Sequence, residues 1–285
     1  MRVLNIDVSS ELLNRWCRWF APPVQPFRVD VVDGLPDGHR VAVSAEVRDT
    51  FHMYGGSWIW LDEATFTALA PSVRRRLLVK REASGRRKDL TEDHRGLVPP
   101  GEARFPWWPS TLDAVGEHPA VGYVLDGVKP SRHDEVPDTT WRDARSVLPC
   151  AERLAGTFPA RSGPNCFGTV MAAAGVAGAE WTWMFPEPFQ DWLDAGTYAV
   201  KGTGFDDSPG VVLVWRDARA VAVHAAVTIG GGYVLNKPSQ AWCSPRLVWT
   251  VRETVNASRY RGLRLHRYRI VRHGTDASAT KGERP

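Results

Sequence analysis

Three consecutive glycines, Gly230-Gly231-Gly232, constrain this chain more than any other feature. They separate the apolar, β-branched run from Ala220 to Ile229 from a second one, Tyr233-Val234-Leu235-Asn236-Lys237. Two such runs around a glycine turn predict a β-hairpin. Parity then fixes which side chains meet. If the glycines form a three-residue loop, Ile229 faces Tyr233 and His224 faces Pro238. Asn236 then lies diagonal to His224 on the same face of the pair. A two-residue loop would place the two on opposite faces.

A histidine beside an amide is what a general base and its orienting group require. The amide oxygen accepts from one ring nitrogen and leaves the other to take a proton. The plainer alternative is a core histidine satisfied by a neighbour.

Upstream, Gly163-Pro164 breaks the chain, Asn165 is a capping residue, and Cys166-Phe167-Gly168-Thr169-Val170-Met171-Ala172-Ala173 follows. The pattern predicts a helix with Cys166 in its first turn. Unpaired N–H groups and the positive end of the helix dipole favour a thiolate there. The plainer alternative is a small buried hydrophobe.

Together these segments resemble the papain-like cysteine peptidases and amidases of the NlpC/P60 superfamily over residues from about 160 to 272. That family carries its nucleophile in an Asp-Cys-Ser-Gly-type motif opening a helix, where this chain has Asn165-Cys166-Phe167-Gly168. Its histidine begins a strand, as in His224-Ala225-Ala226-Val227-Thr228-Ile229-Gly230, and a polar third residue follows about a dozen positions later, here Asn236. The stretch Ser208-Pro209-Gly210-Val211-Val212 has the shape of the family's Pro-Gly-Asp-Leu-Val. The chain departs in having Asn165 for Asp, Phe167 for Ser and Val211 for Asp.

The resemblance implies an α+β fold with a papain-like, helix-on-antiparallel-sheet core. It implies that Cys166 is the nucleophile, His224 base then acid, and Asn236 the group that orients the imidazole. Asn165, Trp181 and Trp183 are the candidate substrate-binding residues. Water or an amine would resolve the acyl-enzyme, giving an amidase, a peptidase or an amide-forming acyltransferase. The rival from another class is a non-catalytic papain-like module whose basic final strand meets an anionic partner.

The domain reading follows. Residues 1–140 are an unassigned N-terminal region expected to cap the cleft, 141–273 the catalytic domain, and 274–285 a disordered tail. Among 285 residues, 43% are hydrophobic and 24% charged, so the core is ordinary for one large or two modest domains. A net charge of +4 does not by itself imply nucleic acid. The N-terminus lacks an apolar signal-type segment, and no run of 18 apolar residues occurs, so neither a signal peptide nor a membrane span is expected. Cys17, Cys150, Cys166 and Cys243 are scattered and form no CxxC pair. The expectation is therefore no disulfide framework, no metal and no cofactor, a reduced cytoplasmic setting, and a small-molecule or peptide substrate. His94 and His118 have no ligand-spaced partners, His133 reads as a solvated loop residue, and His52 as part of a strand.

Along the chain, Ser9-Ser10 predicts a capped helix through Phe20. Strands are expected at Phe27–Val32, Arg40–Ala45, Ser57–Leu61 and Val121–Leu125. Helices are expected at Asp62–Ala68, Ser72–Glu82 and Thr139–Thr157, the last interrupted at Pro149. Residues 83–106 read as a long loop or lid. Trp107-Trp108 is a candidate cleft wall. A helix around Phe189–Leu193 precedes strands at 197–201, 211–216, 220–229 and 233–237. An arginine-rich strand near Leu263–Val271 reads as a sheet edge, where charge blocks further pairing.

Overall fold

Ser9 stops the backbone in an extended conformation, and its hydroxyl accepts from the N–H of Leu12 at 3.2 Å. The first helix, α1 (Ser10–Phe20), starts there and buries Trp16 and Phe20. The computed structural model describes residues 1–29, 35, 37–83 and 104–271. The expected lid at 83–106 lies mostly outside the described residues, as do His94, the end of the strand expected at Phe27–Val32 and the tail at 274–285.

Before α1, two short strands, β1 (Arg2–Val3) and β2 (Ile6–Asp7), pair antiparallel. After it come β3 (Val24–Arg28), α2 (Ala45–Phe51), β4 (Trp58–Asp62), α3 (Glu63–Ala68) and α4 (Pro71–Ala83). β3 pairs antiparallel with β4. Asp62 ends β4 and caps α3 by accepting from Thr65 N–H at 2.7 Å. α5 (Pro109–Val115) and α6 (His118–Leu125) follow. Their shared core is aromatic: Phe27 stacks on Phe66 at 4.9 Å, and Trp242, from far along the chain, lies 6.0 Å from Trp16.

Four expectations fail in this region. Residues 41–44 form no strand; Ser44 instead caps α2, and His52 is its left-handed C-cap. Val121–Leu125 is helical, because Pro119 presets the first turn and Ala120, Val121 and Val124 bury one face. Trp107 and Trp108 are buried in the aromatic core, so they do not wall a cleft.

The second half begins with α7 (Asp138–Ala144) and α8 (Ala151–Leu154), separated at Pro149 as expected. Next are α9 (Cys166–Ala173), buried along its whole length, and α10 (Pro186–Gly196). The strands are β5 (Thr197–Val200), β6 (Pro209–Arg216), β7 (Ala222–Gly230), β8 (Tyr233–Asn236), β9 (Leu247–Thr250) and β10 (Arg264–Ile270), with α11 (Val251–Ala257) after β9. They form one antiparallel sheet in the order β5-β10-β6-β7-β8-β9. The fold is mixed α+β. β10 is internal, which corrects the expected edge: β5 covers it. Its charge is absorbed locally, with Arg267 bonded to Asp206 at 2.8 and 2.9 Å and Arg269 over the Phe205 ring at 5.0 Å.

The sheet separates two apolar layers. On one face, Val212, Val214, Ala225, Val227 and Leu235 pack under α9. On the other, Val211, Leu213, Trp215, Ala226 and Val234 pack with Val251, Val255 and Leu265. Ile6 joins Leu247 and Trp249, tying the N-terminal segment to the sheet. Among the described residues, no helix is long and apolar enough to cross a membrane.

Candidate active site

The hairpin reaches the expected register by an unexpected route. Gly230 pairs with Tyr233, so the turn has two residues, Gly231 and Gly232, with φ of 59° and 78°. That left-handed pair suits a tight hairpin turn. A bulge between Thr228 and Gly230 leaves Ile229 without a partner on β8, though it pairs with Pro209 of β6, and restores the parity that a two-residue turn would have reversed. Thr228 then faces Val234, Val227 faces Leu235, and Ala226 faces Asn236.

His224 and Asn236 accordingly share a face and meet: His224 Nε2 lies 3.1 Å from Asn236 Oδ1. The amide oxygen can only accept, so Nε2 carries the proton, and Nδ1 is left with a lone pair. Trp215, opposite His224 on β6, holds the ring at a centroid distance of 5.2 Å. Burial pushes His224 down to about 4, against the opposing pull of the Asn236 hydrogen bond. The imidazole is thus neutral at pH 7. A cavity of about 170 Å³ opens beside it, lined by Asn236, Pro238, Trp249 and Tyr260.

Asn165 caps α9, its Oδ1 accepting from Gly168 N–H at 3.1 Å. Its Nδ2 donates to Met184 O at 2.7 Å. An aspartate would cap equally well but would set an oxygen against that carbonyl. Gly168 lets α9 approach the backbone closely: a Cβ there would stand 2.4 Å from Ala179 O.

Cys166 opens α9 as expected, yet its thiol is not depressed. Burial pushes it up to about 11, opposed by the backbone N–H groups of Ala225 and Phe167 and by Lys237. The start of an eight-residue helix does not offset complete desolvation. The thiol meets β7 at Ala225, one residue past His224. Because neighbouring residues alternate, Ala225 faces α9 while the His224 side chain starts from the opposite face. Among the described residues, no hydrogen bond joins the Cys166 thiol to His224. The structure brings His224 to Asn236, and Cys166 to the backbone beside His224, without coupling thiol and imidazole.

Trp181 and Trp183 are exposed, at 52% and 37%, in the loop that Asn165 anchors through Met184. Arg48 of α2 lies over the Trp183 ring at 4.9 Å. Other α2 residues hold the segments around the cysteine: Glu46 accepts from Ser162 N–H at 3.2 Å, and Thr50 Oγ1 from Trp242 Nε1 at 2.7 Å. His133 is a half-buried residue in a 3₁₀ turn, its Nδ1 at 3.0 Å from Ser131 Oγ. Among the described residues, no group of three or more His, Cys, Asp or Glu side chains is placed to hold a metal ion.

Sequence reasoning missed Lys237. It follows Asn236, just past the end of β8, and is fully buried. The available signal was a lysine continuing an apolar strand run directly before proline. Compared with protein-family models, curated proteins and solved structures, the chain matches none.

Proposed function

We propose that this protein performs thiol-dependent acyl chemistry on an amide or ester bond with a papain-like core of the NlpC/P60 type. Cys166 attacks the carbonyl carbon and His224 takes the thiol proton. The tetrahedral adduct collapses, and the proton passes from the imidazolium to the leaving amine or alcohol. Water or an amine then attacks the acyl-enzyme. Asn236 fixes the ring with Nδ1 free, and the N–H of Cys166 at the helix start is one donor to the oxyanion. The substrate is a small molecule or peptide, α2 of residues 1–140 caps the cleft, and the four free cysteines suit a reducing cytoplasmic compartment.

One observation carries the reading: His224, 3.1 Å from Asn236 of β8, directly precedes on β7 the residue Ala225, whose N–H acts on the Cys166 thiol. In the resting structure the thiol and the neutral imidazole belong to opposite faces of the sheet, so the reading requires a rearrangement that brings them to one side. Incubation with p-nitrophenyl esters, thioesters and peptide amides tests it by mass spectrometry. An acyl adduct on the Cys166 peptide, absent in Cys166→Ala, is expected. Turnover that persists undiminished in Cys166→Ala overturns it.

The absence of a Cys166–His224 hydrogen bond favours a second reading, a non-catalytic module of the same fold. Its anionic partner would meet the exposed Arg259, Arg261 and Arg264, since Arg267 is held by Asp206. Slow alkylation of Cys166 both with and without every acyl donor tried, and no adduct, would select it.

A further inference from the structure

Lys237 is a buried cation whose surroundings single it out. Its residue exposure is 0%. Continuing the hairpin register one step past Ala226 and Asn236 sets Lys237 opposite Ala225, the residue whose N–H meets the Cys166 thiol. It lies one residue past β8 and opens the segment that meets the approach to α9: Gln240 O accepts from Gly163 N–H at 2.9 Å, and Ser162 Oγ from Trp242 N–H at 3.1 Å. Its Nζ donates to Ser239 O at 2.6 Å, Ser244 O at 2.7 Å and, more weakly, Ala241 O at 3.5 Å. Three carbonyl oxygens match the three N–H bonds of an ammonium. A neutral amine has two, and would turn its lone pair on the third oxygen.

No carboxylate hydrogen-bonds this ammonium among the described residues. The charged and titratable groups that bear on it are Arg246, Cys243, Cys166 and Asp49. Asp49 is 2% exposed, and its Oδ2 has no hydrogen-bond partner. Its Oδ1 takes Tyr54 Oη at 2.5 Å and lies 3.6 Å from Arg48 Nε. Asp49 is thus a buried carboxyl group that acts on Lys237. Burial and Arg246 push Lys237 down to about 7, whereas Cys166, Cys243 and Asp49 favour its charged form. Seen from Cys166, Lys237 is the charged side chain that acts most strongly against desolvation of the thiolate.

We propose that Lys237 is a positioning residue of the site: an ammonium fixed by three backbone carbonyls on the α9 side of the sheet, where it balances the negative charge of the Cys166 thiolate. The proposal rests on the nucleophile reading for the role of that thiolate. Its test reads the thiol itself and not turnover. It supplies, in an otherwise apolar layer, the opposite charge that the thiolate meets once its proton has passed to His224. It also explains why a fully buried lysine directly follows a strand whose Leu235 and Val234 are apolar and buried.

The test is the pH dependence of Cys166 alkylation by iodoacetamide in the full chain, followed on the Cys166 peptide. Lys237→Met should slow alkylation at any fixed pH below the thiol midpoint by at least about tenfold, the effect of losing one opposite charge nearby. Lys237→Arg keeps the charge and should stay within about threefold of the parent. An unchanged profile in a Lys237→Met protein with parental circular dichroism and a cooperative melt overturns the proposal, while leaving acyl-adduct formation on Cys166 to be judged separately.

Should Lys237→Met fail to fold, the unmutated protein gives the same answer. Carboxymethylation of Cys166 with iodoacetate adds a negative charge, and carbamidomethylation with iodoacetamide adds none. The Lys237 ¹³Cε titration midpoint should be higher in the carboxymethylated protein by about one pH unit or more. Equal midpoints in the two adducts overturn the proposal.

Discussion

His224 and Asn236 are twelve positions apart in the chain and 3.1 Å apart in space because Ile229 is excluded from the β7–β8 ladder. The two-residue turn at Gly231-Gly232 alone would have sent Asn236 to the face of α9. The bulge adds the missing residue on the β7 side and returns it to the histidine. Turn and bulge therefore act as a pair, and altering either one alone should undo the contact.

Deleting Gly231 shortens the connection without changing the bulge. We expect it to misalign β8 by one residue, sending Asn236 to the α9 face and Leu235 out of the core. The amide–imidazole contact should vanish from the ¹⁵N spectrum of the His224 ring. A deletion protein with an unaltered His224 tautomer would show that the turn does not set the register. Gly231→Val is the milder test. With φ at 59° it should cost about 1–2 kcal/mol by urea denaturation.

Asn165 has two jobs, and substitutions separate them. Asn165→Asp keeps the cap on Gly168 N–H and loses the donor to Met184 O, so the Trp181–Phe185 loop should loosen while α9 stays intact. Asn165→Ala loses both and should cost about 1–2 kcal/mol. Hydrogen exchange at residues 181–185 reports the first effect, and thermal melting the second. Equal exchange in the parent and Asn165→Asp would mean that the Met184 contact does not hold the loop.

Alternation and a glycine turn act locally, so the shared face of His224 and Asn236 was legible, whereas the two-residue turn and the bulge at Ile229 that produce it were not. The cap at Asn165 was legible for the same reason. The sheet order was not. Nothing local says that β10 inserts between β5 and β6, and arginines at alternate positions suit an internal strand when Asp206 and Phe205 receive them. β9 and α11 went unseen because Leu247-Val248-Trp249-Thr250 is only one short apolar run; its Thr250–Glu253 capping box was the available signal. The Cys166 thiol shows a different limit. Helix position argues for a depressed value and burial for a raised one, and sequence reveals the first without the second.

Gly168→Ala should destabilise the protein although alanine favours helix. The added Cβ would stand 2.4 Å from Ala179 O and 3.0 Å from Thr182 O, both backbone atoms that cannot rotate away. The helix gain is about 1 kcal/mol, while overpacking against fixed backbone costs about 1–3 kcal/mol or more. A net loss by urea denaturation is expected, together with a displaced first turn and altered Cys166 alkylation. A stabilised Gly168→Ala protein would refute the close approach.

The resting thiol should be sluggish. With Cys166 buried and pushed up to about 11, iodoacetamide at pH 7 should label half-buried Cys150 before Cys166. An acyl donor that enters the site should consume Cys166 despite this. First labelling of Cys166 in the free protein would show that the thiol is already ionised at rest.

Stability should fall in two steps on acidification. His224 binds a proton near 6.5 when unfolded and at about 4 when folded. The unfolded state therefore binds more protons between those values, and the stability held above pH 6.5 is lost as pH falls toward 4, by up to roughly 3 kcal/mol. Glu253 works lower down. Burial raises it, but Arg132, with Nε at 3.0 Å, and the Thr250 capping contacts outweigh burial and hold it at about 2 against an ordinary 4.5. Its contribution, present above pH 4.5, disappears as pH falls toward 2. Because Arg132 is partly solvated, we expect about 1–2 kcal/mol from it. Urea denaturation from pH 7.5 to 2 should resolve both steps. His224→Phe should flatten the curve between 6.5 and 4 while leaving the lower step, and Glu253→Gln should do the reverse. If His224→Phe leaves the upper slope unchanged, the imidazole is not held neutral by burial, and the protonation state assigned to the base is wrong.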